Sequence, residues 1–154
     1  MRVLIFGLMV VLLSPVGLAR DLILEVSNKP VKIVTFDELK SMPSISYKTH
    51  LPWFTGEAEF TGVSLEYFLT KQFGAIPDVV TFRALNDYSV EIVKSDIEKF
   101  DPIIAYLKDG KEMTIREKGP YWIIYSLSDF PKIDDSLYHA QMIWQLEKIQ
   151  IDSL

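Results

Sequence analysis

Over most of this chain, apolar and polar residues alternate in short runs broken by turn signals, the signature of strands, while helical spacing is confined to three short stretches. Apolar runs at 22–26 and 31–34 flank Asn28-Lys29-Pro30 and predict a pair of edge or meander strands. A short helix is expected over 35–42: Thr35 caps it, Glu38 stands at the capping-box position, Val34 and Leu39 staple its entry, and Pro43 ends it. From 44 to 60 the pattern is extended, with Ile45 and Tyr47 alternating with polar residues until His50-Leu51-Pro52-Trp53 breaks the run into an expected long loop. Gly62-Val63-Ser64 is then read as the opening of the clearest helix, which carries Leu65, Phe68, Leu69 and Phe73 on one face and stops at Gly74.

In the second half, runs at 79–85 and 88–93 predict a hairpin across Asn86-Asp87, two residues that tolerate the left-handed backbone of a tight turn. A helix is expected over 95–100, capped by Ser95 with Glu98 at the capping-box position. Residues 102–107 should pair with 111–113 across Asp109-Gly110, and the continuous apolar run 122–125 predicts a strand buried on both faces. A loop with Pro131 and Asp134-Asp135 leads to a last strand over 143–151. Its apolar set shifts from even positions (Trp144, Leu146) to odd ones (Ile149, Ile151), so a bulge is expected near Glu147 or Lys148. These elements describe an α+β domain: a mixed β-sheet with short helices around it, and no internal repeat.

The first residues change the picture of where the protein works. Arg2, the apolar stretch from Val3 to Leu13, and small residues at Gly17 and Ala19 have the order of a secretory signal peptide over 1–19. The apolar run ends at Ser14-Pro15, short of the roughly 20 residues that span a bilayer. Cleavage after Ala19 is therefore expected, leaving residues 20–154 as one domain that is periplasmic or secreted, with no membrane span. That portion carries 15 basic against 21 acidic side chains once Arg2 is set aside from the 16 Lys and Arg of the whole chain. An acidic balance argues against nucleic acid and supplies no basic membrane patch. Cysteine is absent, so neither a disulfide nor a lipid anchor is open to the chain, and stability must come from apolar burial, for which three Trp, nine Phe and seven Tyr are available.

One set of motifs goes further. Asp109-Gly110, Met113, Arg116, Lys118-Gly119-Pro120-Tyr121-Trp122 and Ile143-Trp144-Gln145-Leu146 occur in an order that resembles the C-terminal part of the sulfite-oxidase-type molybdopterin-binding domain. The resemblance covers about Ser44 to Ile151 and includes the Gly62 segment and the Asn86-Asp87-Tyr88 turn. It implies that family's fold and a pocket faced by the Gly119-Pro120 turn. In the family's enzymes a cysteine thiolate holds molybdenum ahead of the segment matched by Gly62, and the nearest residues here are Thr49 and His50. Neither a hydroxyl nor an imidazole reproduces a soft anionic thiolate.

The residues expected to line such a pocket are His50, Trp53, Asn86, Asp87, Tyr88, Arg116, Lys118, Gly119 and Pro120. Arg116 offers a planar fork and Lys118 a flexible point charge for a carboxylate or phosphate, so a small anionic ligand is the expected occupant. Glu112 and Glu117 interleave with them, which also suits a solvated hairpin. Trp53, Trp122 and Trp144 read first as packing, and His139 as structural or solvent-facing. No nucleophile elbow accompanies the two histidines, and Asp134-Asp135 lacks the further oxygens of a calcium loop, so neither catalytic residues nor a metal site is expected. Two functions fit: a non-catalytic ligand-binding or accessory module, for which a cell-envelope protein is the expected partner, or an oxidoreductase that holds molybdopterin without a protein thiolate.

Overall fold

The computed structural model describes residues 20–152, so the expected signal peptide lies outside the described residues. Among the described residues, ten strands and four α-helices follow in the order β1 (Leu22–Val26), β2 (Lys32–Val34), α1 (Phe36–Lys40), β3 (Ser44–His50), β4 (Glu57–Ser64), α2 (Leu65–Phe73), β5 (Val79–Ala84), β6 (Ser89–Val93), α3 (Lys94–Phe100), β7 (Ile103–Lys108), β8 (Lys111–Glu112), β9 (Trp122–Ile124), α4 (Ser136–Gln141) and β10 (Leu146–Ile151). One sheet runs β2-β1-β10-β5-β6, and β1 lies parallel to β10 within it. The other runs β3-β4-β7-β8, with β9 pairing to β7. This is the α+β, mixed-sheet arrangement that the periodicity predicts.

Alternation along β7 and β9 fills both faces of the second sheet. Ile104, Tyr106 and Ile123 join Leu24, Phe82 and Ile149 in a core that also buries α1 and α2. Their neighbours Ile103, Ala105, Trp122 and Ile124 point the other way, into a second core with Phe60, Tyr125 and Met142. The two-sided burial expected for 122–125 is thus present.

Four local expectations are corrected. Gly62 does not open a helix: it lies inside β4, where an added Cβ would run into the carbonyl of Ile104, and the helix starts after Ser64, whose Oγ accepts from Tyr67 N at 3.0 Å. The long loop expected after His50 shrinks to 51–56 because β4 resumes the pairing with β3 at Glu57. Ser95 is not a cap, since α3 begins at Lys94 behind Val93 without a side-chain cap. Helix α4 lies where a loop was expected, started by Asp135, whose Oδ1 accepts from Leu137 N and Tyr138 N. The bulge foreseen in the last strand falls between Leu146 and Lys148, although the strand proper begins only at Leu146.

Candidate functional site

The segments 114–122 and 143–146, distant in sequence, are stitched together at one end of the second core. Thr114 and Glu117 form a capping box around a 3-10 turn, Ile115–Glu117, which ends at Lys118 in the left-handed region (φ 73°). Gln145, also left-handed at φ 53°, donates from its backbone N to Lys118 O (3.0 Å) and from Nε2 to Ile115 O (2.8 Å). Leu146 N donates to Tyr121 O and Ile123 N to Ile143 O, and Trp122 bridges Trp144. Two non-glycine residues with positive φ, bonded to each other, mark this corner as one where the chain is held against its local preference.

This stitching assembles all three tryptophans of the chain. Trp53 stands 5.4 Å from Trp144 and 5.6 Å from Trp122 between ring centroids, and Trp122 lies edge-on to Trp144 at 6.2 Å. The Lys118 ammonium sits 3.5 Å above the centroid of Trp144, with Trp122 at 5.6 Å and Trp53 at 6.0 Å. A cation over an indole face gains about 0.5–2 kcal/mol, depending on its desolvation. Burial, and secondarily the nearby Lys108, hold the Lys118 ammonium below the usual lysine range.

Two clefts open on either side of Trp53. The larger, about 420 Å³, is bordered by Phe54, Met113, Trp122 and the cations Lys108, Lys111, Arg116 and Lys118, together with three carboxylates. Each carboxylate is engaged within the protein. Glu112 is clamped by Arg20 (2.8 Å) and Lys40 (3.1 Å), Asp109 Oδ1 accepts from Glu59 N (3.0 Å), and Glu117 Oε2 accepts from Thr114 N and Oγ1. The Lys40 hydrogen bond, with help from Arg20, holds Glu112 below the usual carboxylate range, and the Thr114 backbone and hydroxyl do the same for Glu117. Among the described residues none of the four cations is ion-paired. The smaller cleft, about 330 Å³, is walled by Trp53, Ala84, Tyr88, Met142, Ile143 and Trp144, with Asn86, His139 and Ala140 around it. Tyr88 donates to Ala140 O (3.0 Å), fastening the β5–β6 turn to α4 beside this cleft.

The residues expected in one pocket are therefore distributed. Arg116 and Lys118 border the cationic cleft, Asn86 and Tyr88 the apolar one, and Trp53 both. Asp87 is exposed in its turn at 3.6 Å from Arg83 and lines neither, while Gly119 and Pro120 are buried below the corner. A Cβ on Gly119 would strike the carbonyl of Met113, which accounts for glycine there. His50 borders neither cleft. Its Nε2 donates to Asp134 Oδ2 (3.0 Å), while His139 Nε2 donates to Oδ1 of the same carboxylate (2.7 Å). Sequence separation hid this clip between β3 and α4, and among the described residues no cluster of His, Asp and Glu is arranged to hold a metal ion.

Neither a protein-family model nor a curated protein matches this chain. Among solved structures, the sulfane dehydrogenase SoxCD of Paracoccus pantotrophus is similar in fold, with a TM-score of 0.62 at 13% identity. The match covers 89% of this chain but only 39% of that one. The likeness is one of fold alone: these two sheets and their helices share the arrangement of part of that protein.

Proposed function

We propose that this protein is a non-catalytic binding module whose cationic cleft takes a small anion, or the anionic end of a small molecule, outside the cytoplasm. The observation that carries the reading is the pattern of pairing: Lys108, Lys111, Arg116 and Lys118 have no ion-pair partner among the described residues, while each carboxylate beside them is engaged within the protein. Such a cleft offers an anion both a guanidinium fork and mobile ammonium groups. The bound state would be presented to a cell-envelope protein partner, a role suited to an exported accessory module.

A molybdopterin-dependent oxidoreductase is the second reading, favoured by the fold shared with SoxCD. The residues at the expected metal position do not fit a thiolate-ligated metal. Thr49 is fully buried, its hydroxyl donating to His50 O and accepting from Ser128 N, and His50 is held by Asp134. With no cysteine in the chain, no sulfur anion is on offer.

Protein purified from its native compartment should begin at Arg20 by intact mass and contain no stoichiometric molybdenum. Inorganic phosphate at about 100 times its dissociation constant should stabilise it by roughly 2.7 kcal/mol, a rise of several degrees in Tm. Arg116→Gln with Lys118→Gln should abolish most of that rise, and should cost the unliganded protein about 1 kcal/mol through the lost contact with Trp144. A phosphate-induced rise that survives the double change overturns the proposed cleft. Near one equivalent of molybdenum, found with pterin, establishes the second reading instead.

A further inference from the structure

The apolar cleft is the feature that a simple anion site leaves unexplained. Its wall is mostly apolar, with Asn86 and His139 as polar members, and Trp53, Tyr88 and Trp144 are its large aromatic residues. Small-molecule sites of roughly 300–1,000 Å³ have this character: a largely apolar cavity with a few polar groups that orient the ligand. Here the orienting groups stand next door. Trp53 is the shared wall of both clefts, and the Lys118 ammonium of the cationic cleft rests 3.5 Å from the centroid of Trp144, a wall of the apolar one.

An aromatic-walled cavity ordinarily suits a cationic ligand. Lys118 already places a positive charge on Trp144 and reverses that preference: a second cation would be repelled, while a negative charge would be attracted. We infer that the two clefts are subsites of one ligand, an aromatic or heteroaromatic molecule with an anionic substituent. Its ring lies against Trp53, Tyr88 and Trp144, and its carboxylate, sulfonate or phosphate reaches over Trp53 to Lys118 and Arg116. This rests on the anion-binding reading of the cationic cleft.

The test compares 2-naphthyl phosphate, inorganic phosphate and 2-naphthol by titration calorimetry on the purified protein, with tryptophan emission as a second readout. All three tryptophans lie at these clefts, so emission reports on this corner alone. Naphthyl phosphate should bind at least tenfold more tightly than either phosphate or naphthol. Ala140→Phe, at an exposed position beside the apolar cleft, should bring naphthyl phosphate down to the affinity of phosphate and leave phosphate itself unchanged. Phosphate binding without a gain from the ring overturns the shared ligand but leaves the anion site standing. Naphthol binding as tightly as naphthyl phosphate shows an independent apolar site and overturns it too. Failure of both phosphate-bearing compounds to bind sinks the anion-binding reading itself. The three-compound series on the unaltered protein decides the matter even where Ala140→Phe fails to fold.

Discussion

The two faces of the β4-β7-β9 layer are filled in different ways. Toward the other sheet, Val63, Ile104 and Ile123 meet Leu22, Leu24, Val80 and Ile149, mostly aliphatic chains delivered by strands whose period-two pattern already places them there. On the opposite face, Phe60 and Trp122 meet Leu51, Tyr125, Ile133 and Met142, with Trp53, Phe54, Phe130, Tyr138 and Trp144 packed around them, residues brought in largely by loops and short helices. The first core has a regular sheet on each side, and only its edge residues Ala84 and Ile143 reach a cleft, the apolar one. The second is closed by aromatic edges, such as Phe100 against Tyr138 and Tyr125 against Tyr138, and both clefts lie at its margin. Regular sheets make the stable side, and the irregular chain packed against its edge supplies most of the walls of both clefts.

Truncation separates the two faces most sharply. Phe82 is fully buried in β5 within the sheet-to-sheet core, and Phe82→Ala should cost about 3–5 kcal/mol, lowering Tm by roughly 10 °C or more. It should leave the affinity for phosphate unchanged wherever the protein remains folded. Trp53→Ala, at the half-buried wall between the clefts, should cost about 1–3 kcal/mol and weaken naphthyl phosphate far more than it weakens phosphate. Urea denaturation and calorimetry on the two variants make the comparison. Equal loss of binding in both would show that the faces are not functionally distinct.

An effect smaller than that of Phe82→Ala is expected at the corner itself. Gly119→Ala forces a methyl group against the Met113 carbonyl, so the turn that presents Lys118 must move. The stability cost of such overpacking is about 1–3 kcal/mol. Phosphate affinity should fall with it, because Lys118 would lose its place over Trp144. Unchanged affinity alongside lowered stability would place the anion away from Lys118.

Legibility in the sequence follows the same division. The Asn86-Asp87 and Asp109-Gly110 turns, helix α2 and the bulge after Leu146 were readable, because each rests on a local rule: positive φ at Asp87, Asp109 and Gly110, helical spacing to Phe73, and a parity shift in a strand. Helix α4 was not, because Ser136–Gln141 makes under two turns and is held by Asp135 and by packing of Tyr138 on Phe100 rather than by an amphipathic repeat. The turn Ile115–Glu117 does carry a signal, Thr114 with Glu117 three residues on, but it is a single turn with no helical repeat behind it. Trp53, Trp122 and Trp144 share no periodicity, so nothing along the chain announced that they would meet around Lys118. The candidate residues were spread over two clefts for the same reason: adjacency across Trp53 is a property of loops converging, not of spacing.

The smallest expected effect concerns the clip that ties the irregular face to the regular one. Asp134 bridges His50, at the end of β3, and His139 in α4, and the hydrogen bond from His50, followed by that from His139, holds its carboxyl below the usual range. A carboxylate with a lowered folded-state pKa contributes stability that is present above its unfolded value, about 3.9, and is lost as pH falls through the lower folded value. The Asp134 side chain is 38% exposed, so solvent screening limits the contribution to about 1 kcal/mol or less. Urea denaturation should therefore find Asp134→Asn less stable than the unaltered protein at pH 5–7 by at most about that amount, with the gap closing as pH falls below about 4. Phosphate affinity at pH 7 should be unaffected, because Asp134 borders neither cleft. A gap that stays constant down to pH 3 would mean that the carboxylate charge is not what fastens α4 to β3, and a loss of phosphate binding would mean that the aromatic face needs the clip to hold its cationic cleft open.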